Sequence, residues 1–226
     1  MTRAGTAVVT GGSRGIGLAV VRALAASGMT VVLGARDPAT VPGGLGEAVL
    51  VRRLDVTSRG DAAAVADELR ARGSGLDVLV NNAAVGYDTW QDAARADLDA
   101  VEEILRTNLV GAWRAAVALL PLMGRGARIV NVSSGAGSFG EGGGAGAPAY
   151  SVSKAGLNML TVRLAAAVRP RGVLVNAVCP GWVATDMGGP GGRPVAEGAA
   201  SVLHAVDLPP GGPTGRFFRD GREIPW

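Results

Sequence analysis

Tyr150 and Lys154 stand four residues apart, and Lys154 is the only lysine of the chain. Arginine replaces lysine on most solvated surfaces but not where a compact ammonium must fit beside a neighbour, so the lone lysine indicates a chemical requirement. The sequence predicts a helix over residues 150–168, in which positions i and i+4 share one face. An ammonium beside a phenol favours the ionised phenol and lowers its pKa toward neutrality. Such a pair suits proton transfer in carbonyl–alcohol interconversion.

The same spacing also begins ordinary helices whose tyrosine and lysine are both solvated. The pair therefore needs support from the rest of the chain before it is interpreted as a catalytic site.

Composition restricts the possible classes of protein. The chain has 226 residues, 48% of them hydrophobic and 36 of them glycine, which predicts one α/β domain over residues 1–226. The formal charge is only +3 and the arginines are scattered, so no nucleic-acid partner is expected. His204 is the only histidine and has no cluster of thiols or imidazoles around it in sequence, so no metal site is predicted.

The cysteine content and the lengths of the apolar runs bear on the cellular location of the protein. Cys179 is the only cysteine, which excludes an internal disulfide and fits a reducing compartment. No apolar run reaches about 18 residues, so no membrane span is expected. The first residues lead straight into a strand, without the pattern of a signal peptide. We expect a cytoplasmic protein, in which Cys179 is either a reactive thiol or a buried inert one.

A glycine-rich turn joins the first predicted strand, residues 6–10, to a helix over 18–26. Strand, glycine-rich turn and helix is the arrangement of a dinucleotide site. The glycines let the backbone approach a pyrophosphate, and the helix N-terminus offers free N–H groups. The predicted phosphate-binding residues are Gly11, Ser13, Arg14, Gly15, Ile16 and Gly17.

The end of the second predicted strand bears on the choice of cofactor. An NAD site places a carboxylate here for the ribose hydroxyls, whereas a 2′-phosphate favours an arginine. Ala35 is neutral, Arg36 follows it, and Arg14 adds a second cation, so we predict NADP(H) rather than NAD(H). Asp37 precedes a proline and is interpreted as a turn cap. The alternative is that Arg36 is an ordinary surface charge with no role in cofactor binding.

The remaining pattern alternates strands and helices. Strands are predicted at 48–54, 76–80, 128–133 and 173–178, with a short one near 215–218, and helices at 61–72 and 97–123. This alternation predicts a Rossmann-type, doubly wound parallel sheet of about seven strands flanked by helices. The Gly/Ala-rich residues 135–147 are predicted to form a mobile loop at the mouth of the site.

Small and polar residues follow these strands where parallel strands end together. Asp55 could meet the adenine amino group or form the turn before the next helix. The further predicted cofactor contacts are Asp55, Val56, Asn82, Ala83, Ala84, Pro180, Gly181, Val183 and Thr185.

With these motifs in view, the chain resembles the short-chain dehydrogenase/reductases over nearly its whole length. The resemblance is carried by the glycine-rich turn, 81–83, Asn108, Ser134, Tyr150-x-x-x-Lys154, and Pro180-Gly181 with Thr185. It implies that Tyr150 donates or accepts the proton and that Ser134 polarises the carbonyl, while Ser133 is structural.

The resemblance also implies roles around the cofactor. Lys154 would hold the nicotinamide ribose and lower the pKa of Tyr150, so both residues belong to the cofactor site as well. Asn108 would place a water between Lys154 and solvent, and Thr185 would bind the nicotinamide carboxamide.

The C-terminal half resembles the NADPH-dependent carbonyl reductases, through residues 179–190 and 215–226. Three features depart from the family pattern. Ala84 replaces a glycine, the spacing from Ser134 to Tyr150 is longer than usual, and the long helical insertion of the monomeric animal carbonyl reductases is missing.

These observations predict an NADPH-dependent carbonyl reductase for a small-molecule ketone or aldehyde. Phe139, Trp182 and Met187, with Tyr87 and Trp90, could line an apolar pocket for a bulky substrate or be simple packing. One alternative is a reductase of carrier-linked or polyketide ketones, or of imines. The alternative of another class is an NADP(H)-binding sensor without turnover, for which the set of Asn108, Ser134, Tyr150 and Lys154 would have no use.

The helices predicted to carry Asn108 and Tyr150 are apolar nearly all round. One face can pack on the sheet, and the other needs a partner. We therefore expect a homodimer or homotetramer through these helices.

Overall fold

The computed structural model describes residues 5–141 and 146–226. Its strands form one eight-stranded sheet in the order β3-β2-β1-β4-β5-β6-β7-β8. The first seven strands pair in parallel, and β8 returns antiparallel to β7. The strands are β1 (Thr6–Thr10), β2 (Thr30–Ala35), β3 (Val49–Arg53), β4 (Val78–Asn81), β5 (Arg128–Val132), β6 (Leu174–Val178), β7 (Phe217–Arg219) and β8 (Arg222–Glu223).

The predicted Rossmann-type α/β fold is therefore confirmed, but the sheet has eight strands rather than about seven. The additional strand arises because Asp220 and Gly221 both have positive φ and form a two-residue turn between Arg219 and Arg222. Turns of this kind match the twist of a hairpin, and Asp-Gly is a preferred sequence for them.

Helices cover both faces of the sheet. They are α1 (Gly15–Ala26), α2 (Asp61–Ala71), α3 (Leu98–Leu105), α4 (Ala112–Leu119), α5 (Pro148–Val168) and α6 (Val195–Asp207). One core cluster joins the sheet to α1 and α6, and a second joins it to α2, α4 and α5. Because both faces are covered, strands such as β1 and β6 are buried along their whole length and mostly apolar.

The prediction of a single helix over 97–123 is wrong in one respect. A π-helical turn over Arg106–Gly111 separates α3 from α4, and a 3₁₀ turn ends the segment. Wide turns of this type often lie at functional sites. Here the turn carries Asn108, whose side chain bonds two neighbouring segments instead of facing the sheet like an ordinary helix residue.

The beginning of the loop predicted over 135–147 has defined contacts. Residues 135–137 form a 3₁₀ turn, and Ser138 donates a 2.9 Å hydrogen bond to the Pro225 carbonyl. Glu141 forms an ion pair with Arg219 at 2.5 Å. We call residues 135–141 the tethered segment. The prediction for residues 142–145 lies outside the described residues.

The strand order places β1 between β2 and β4, so the chain crosses to the other half of the sheet after β3. Open parallel sheets bind ligands at such a switch point, in the crevice at the carboxyl ends of the strands. The glycine-rich turn follows β1, and residues 82–85 follow β4, at that crevice.

Within the described part of the chain, no helix is long and apolar enough to cross a membrane.

Candidate active site

A cleft of about 480 Å³ lies at the carboxyl ends of the central strands. It brings together most of the residues predicted to bind the cofactor, and two of the four predicted catalytic residues. The predicted residues that line it are Gly11, Ser13, Arg14, Gly15, Ile16, Gly17, Arg36, Asp55, Val56, Asn82, Ala83, Ala84, Tyr150, Lys154, Pro180, Thr185 and Met187.

Some lining residues were not predicted to be there, and some predicted residues lie elsewhere. Leu54, Val85, Val132, Ser133, Ala184, Asp186 and Val195 also line the cleft. Asn108, Ser134, Gly181, Val183, Phe139 and Trp182 do not.

The glycine-rich turn is held in place by Asn82. Its side-chain N–H groups donate to the carbonyls of Thr10 at 3.1 Å and Gly11 at 3.0 Å, and the Thr10 hydroxyl accepts from the backbone of Asn82. Gly17 has no room for a side chain, since an added Cβ would lie 2.3 Å from the Gly11 carbonyl oxygen. The Asn82 amide thus supports the turn and does not itself point at a ligand.

The N-terminus of α1 opens into this cleft without a cap. No side chain bonds its first N–H groups, and its first turn contains no acidic residue. Free N–H groups and the positive end of a helix dipole form an anion site. Arg14, immediately before the helix, forms an exposed ion pair at 2.6 Å with Asp186 on the opposite wall.

The opposite end of the cleft carries the predicted cofactor-selecting residues. Arg36 is exposed there and lines the cleft. The interpretation of Asp37 as a cap is confirmed, because its carboxylate accepts from the backbone N–H of Ala39 at 3.0 Å. Asp55 lines the cleft and also closes the turn before α2 by accepting from Thr57, so both alternatives for it are compatible with the geometry.

The ionisable groups of Tyr150 and Lys154 are both buried in α5. The ammonium of Lys154 donates to the Val132 carbonyl at 2.8 Å and lies 5.4 Å from the centre of the Tyr150 ring. Burial raises the pKa of Tyr150 to about 12, although a hydrogen bond with the Ser134 hydroxyl works in the opposite direction. Burial also lowers the pKa of Lys154 to about 8.

In the protein alone, the pKa of Tyr150 is therefore shifted opposite to the prediction from its spacing to Lys154. The prediction counted the attraction between an ammonium and a phenolate but not the loss of hydration of both groups. Loss of hydration disfavours every charged form, and here it dominates.

Ser134 and Ser133 end β5 with different partners. Ser134 shares a hydrogen bond with the Tyr150 phenol and caps the 3₁₀ turn of the tethered segment by accepting from Ala136. Ser133 donates to the Asn158 side chain of α5 at 2.6 Å. This contact fits the interpretation of Ser133 as structural, while Ser134 is the hydroxyl next to the phenol.

Asn108 is buried behind the cleft. Its side chain accepts from the backbone N–H of Val85 at 2.8 Å and donates to the Val85 carbonyl and the Ser153 hydroxyl. Ser153 in turn donates to the Tyr150 carbonyl. The amide thus joins the π turn, the segment after β4 and the first turn of α5.

Two neighbouring residues after β4 reach Tyr150 in ways that sequence reasoning missed. The ring of Tyr87 meets that of Tyr150 edge-on, with centroids 5.1 Å apart. The fully buried carboxylate of Asp88 accepts from the backbone N–H groups of Ala149 and Tyr150. The only signal in the sequence was an aspartate beside an aromatic residue in a loop, which periodicity cannot separate from a surface turn.

The apolar residues predicted around the substrate lie at the rim of the site. Met187 lines the cleft, whereas Phe139 is 91% exposed and Trp182 is 66% exposed. Trp90 is likewise exposed, and Tyr87 is partly so.

Cys179 is free and buried below this rim, where its sulfur accepts from Gly135 and Arg219. His204 lies in α6 and packs edge-on against Phe218. Within residues 5–141 and 146–226, no group of three or more His, Cys, Asp or Glu residues could hold a metal ion.

Comparison with known proteins gives the family. The model of the short chain dehydrogenases matches residues 5–193. The chain belongs to the short-chain dehydrogenase/reductase family. It is therefore an oxidoreductase of a family that binds nicotinamide cofactors and acts on small molecules.

Individual relatives within this family carry different names. A 3-oxoacyl-[acyl-carrier-protein] reductase of Synechocystis is 38% identical over 191 residues, covering 80% of the chain and 75% of the relative. Carbonyl reductase [NADPH] 1 of Bos taurus is 33% identical over 273 residues, covering 97% and 98%. An uncharacterised family member of Sinorhizobium fredii is 42% identical over 183 residues, but the match spans only 33% of that longer protein.

The fold has solved counterparts. The NADPH-bound carbonyl reductase from chicken fatty liver superimposes with a TM-score of 0.84 and 29% identity, covering 99% of this chain and 100% of the other.

Proposed function

We propose that the protein is an NADPH-dependent carbonyl reductase that converts ketones or aldehydes to alcohols. The observation that carries the proposal is the buried Tyr150 phenol in the cleft, with the Lys154 ammonium 5.4 Å from the centre of its ring and the Ser134 hydroxyl beside it. The uncapped N-terminus of α1, with Arg14 and Arg36, provides anion sites along the rest of the cleft. A bound nicotinamide would supply the hydride.

The protein's own residues would handle the oxygen of the substrate. With a pKa of about 12, Tyr150 keeps its proton at neutral pH and can give it to the carbonyl oxygen as negative charge develops there. Ser134 can donate a second hydrogen bond to that oxygen. Lys154 would hold the cofactor ribose and stabilise the phenolate that is left.

Turnover of carbonyl compounds tests this proposal. NADPH oxidation is followed with a panel of ketones and aldehydes, for native protein and for Tyr150→Phe. The variant should lose nearly all activity yet bind NADPH as before, because it lacks only the hydroxyl. Ser151→Ala, a neighbouring hydroxyl in the same helix, is the control. An active Tyr150→Phe would contradict the mechanism, and NADPH binding without any turnover would favour the sensor.

The preference for NADP(H) rests on Arg36, which follows β2 and lines the cleft, whereas the neighbouring Asp37 is engaged as a turn cap. Arg36→Ala should weaken NADPH binding about 10-fold or more, as expected for loss of a charge-assisted bond to phosphate, and leave NADH binding nearly unchanged. Titration of cofactor fluorescence measures both affinities. Arg22→Ala, an exposed arginine on α1, is the matched control. Equal effects on the two cofactors would contradict the assignment.

A carrier-linked substrate is the second candidate, and the 38% identity to a 3-oxoacyl-[acyl-carrier-protein] reductase favours it. Comparing one 3-oxoacyl group on an acyl carrier protein and on a small thiol separates the two candidates. Faster turnover of the carrier-bound form would favour the carrier-linked substrate. Cyclic imines in the same assay test the imine alternative.

We also propose that the protein works as a homodimer or homotetramer in the cytoplasm. The outer faces of the π turn, α4 and α5 support the assembly, because they expose large apolar side chains that have no partner within one copy. The exposed residues are Val110, Trp113, Val117, Val152 and Met159. The free Cys179 supports the location.

A further inference from the structure

The start of α5 has an unusual set of backbone donors. The residue before the helix, Ala147, has φ +53° and no side chain that could cap it. Pro148, the first residue, has no N–H, and the N–H of Ser151 already bonds the Ala147 carbonyl at 2.9 Å. Ala149 and Tyr150 are therefore the residues of the first turn whose N–H groups have no partner within the helix.

Asp88 satisfies both. One carboxylate oxygen accepts from the Ala149 N–H and the other from the Tyr150 N–H, each at 2.9 Å. The Gln91 side chain donates a third hydrogen bond at 2.8 Å. An aspartate 61 residues before Ala149 thus acts as the N-cap that α5 lacks locally.

The site is built for a charged carboxylate. Asp88 is fully buried, and an isolated charge there would be costly. Burial raises its pKa, but the hydrogen bonds from Gln91, Tyr150 and Ala149 outweigh this and hold the pKa below its ordinary value. The positive end of the α5 dipole adds to the stabilisation. An asparagine of the same shape would place an NH₂ against one of the two N–H groups.

The preceding residue completes the contact. The Tyr87 ring packs edge-on against the Tyr150 ring at 5.1 Å, so one dipeptide holds both the backbone and the ring of the same residue. We propose that Asp88 is the positioning residue that sets where the Tyr150 hydroxyl stands in the active site. The proposal rests on the role of Tyr150 given under the proposed function.

Kinetics of Asp88→Asn and Asp88→Ala test the proposal. We expect kcat per folded molecule to fall about 10- to 100-fold, as for a displacement of a reacting group by about 1 Å. The affinity for NADPH should be unchanged, since the glycine-rich turn and Arg36 are not touched. Asp97→Asn is the matched control, because Asp97 caps α3 with a single oxygen that asparagine retains. It should keep the native kcat.

A second readout does not depend on activity. The chain has two tyrosines, so protein labelled with ¹³C only at the ζ carbon of tyrosine gives two NMR signals, which Tyr87→Phe assigns. Asp88→Asn should shift the Tyr150 signal, whereas Asp97→Asn should not. If Asp88→Asn and Asp88→Ala do not fold, Asp88→Glu keeps the charge and displaces the helix start by one methylene, so the same losses are expected.

The outcomes separate the possible errors. A native kcat and an unmoved Tyr150 signal in folded Asp88 variants would overturn the proposal. A lower unfolding midpoint with unchanged kcat per folded molecule would also overturn it, since Asp88 would then be structural only. An active Tyr150→Phe would instead refute the proposed function, independently of the signal shift.

Discussion

At the scale of single residues, the surroundings of Tyr150 and Lys154 favour the uncharged form of each. Burial raises the pKa of the phenol to about 12 and lowers that of the ammonium to about 8. In the protein alone, the phenol is a proton donor over the whole neutral range. The lysine lies close enough to neutrality that any negative charge brought into the cleft would favour its protonated form.

Lys154 should leave a signature in the pH dependence of stability. Its folded pKa of about 8 lies below the ordinary value of roughly 10.4, so between these values the unfolded chain binds a proton that the folded protein does not. The free energy of unfolding of the cofactor-free protein should therefore rise from pH 8 to pH 10, by at most about 3 kcal/mol. Urea unfolding at several pH values measures it.

Lys154→Met is the comparison for that experiment, because it keeps the length of the side chain and removes the titrating group. The difference between native protein and variant should grow in favour of native protein over the same range. A constant difference would contradict the low pKa. Above about pH 10 the raised pKa of Tyr150 acts the other way, since the unfolded phenol then loses its proton first.

At this scale, the sequence predicts the residues of the candidate site better than it predicts the residues that hold them in place. Tyr150, Lys154 and the glycines of the turn could be predicted because their types and spacing are tied to the ligand. Asp88 could not, since its partners are backbone N–H groups, which every residue except proline has. Nothing in the local sequence says which N–H groups a distant carboxylate will meet.

At the scale of elements, the tethered segment packs directly on the helix that carries Tyr150. Gly137 touches α5 so closely that an added Cβ would lie 2.5 Å from the backbone of Lys154 and Ala155. Gly137→Ala should therefore force the two apart and lower both kcat and the free energy of unfolding, the latter by about 1–3 kcal/mol as for overpacking. Enzyme assays and urea unfolding measure the two effects.

Gly124→Ala is the control for that substitution, since an added Cβ there meets nothing within 4 Å and the backbone has no positive φ. It should behave as native protein. If Gly137→Ala has the native kcat and the native free energy of unfolding, the prediction is wrong, and the tethered segment moves aside without displacing α5.

Elements with long periodic patterns could be predicted, and irregular ones could not. The π turn around Asn108 depends on bonds to Val85 and Ser153, which lie 23 and 45 residues away. The β7–β8 hairpin was predictable in principle from Asp220-Gly221 but was overlooked, because the flanking strands are only three and two residues long. The tethered segment has a flexible composition, yet its bonds to the C-terminal residues hold it.

At the scale of the whole molecule, alternation of strands and helices was enough to predict a doubly wound sheet. The helices on both faces follow from strands that are mostly apolar on both sides. The sequence pattern alone could not fix the number of strands, since β8 depends on one turn.

The proposed assembly can be tested at this scale. The double variant Val117→Glu with Met159→Glu places charges on the exposed apolar faces of α4 and α5, where both side chains are exposed. Native protein should sediment as a multiple of 22.6 kDa, and the variant as a single 22.6 kDa species. Leu98→Glu, an exposed leucine at the start of α3, is the control and should assemble normally. Native protein sedimenting at 22.6 kDa at micromolar concentration would contradict the proposal.

The bonds between the tethered segment and the C-terminal residues have a practical consequence. Gly140 donates to the Trp226 carbonyl at 2.9 Å, and the Trp226 ring stacks on Phe217 with centroids 5.4 Å apart. Any affinity tag or fusion partner joined after Trp226 would begin beside the tethered segment, which packs on the helix that carries Tyr150. Preparations for kinetic work should therefore carry their tag ahead of β1, and rates from C-terminal fusions should be compared with those of cleaved protein.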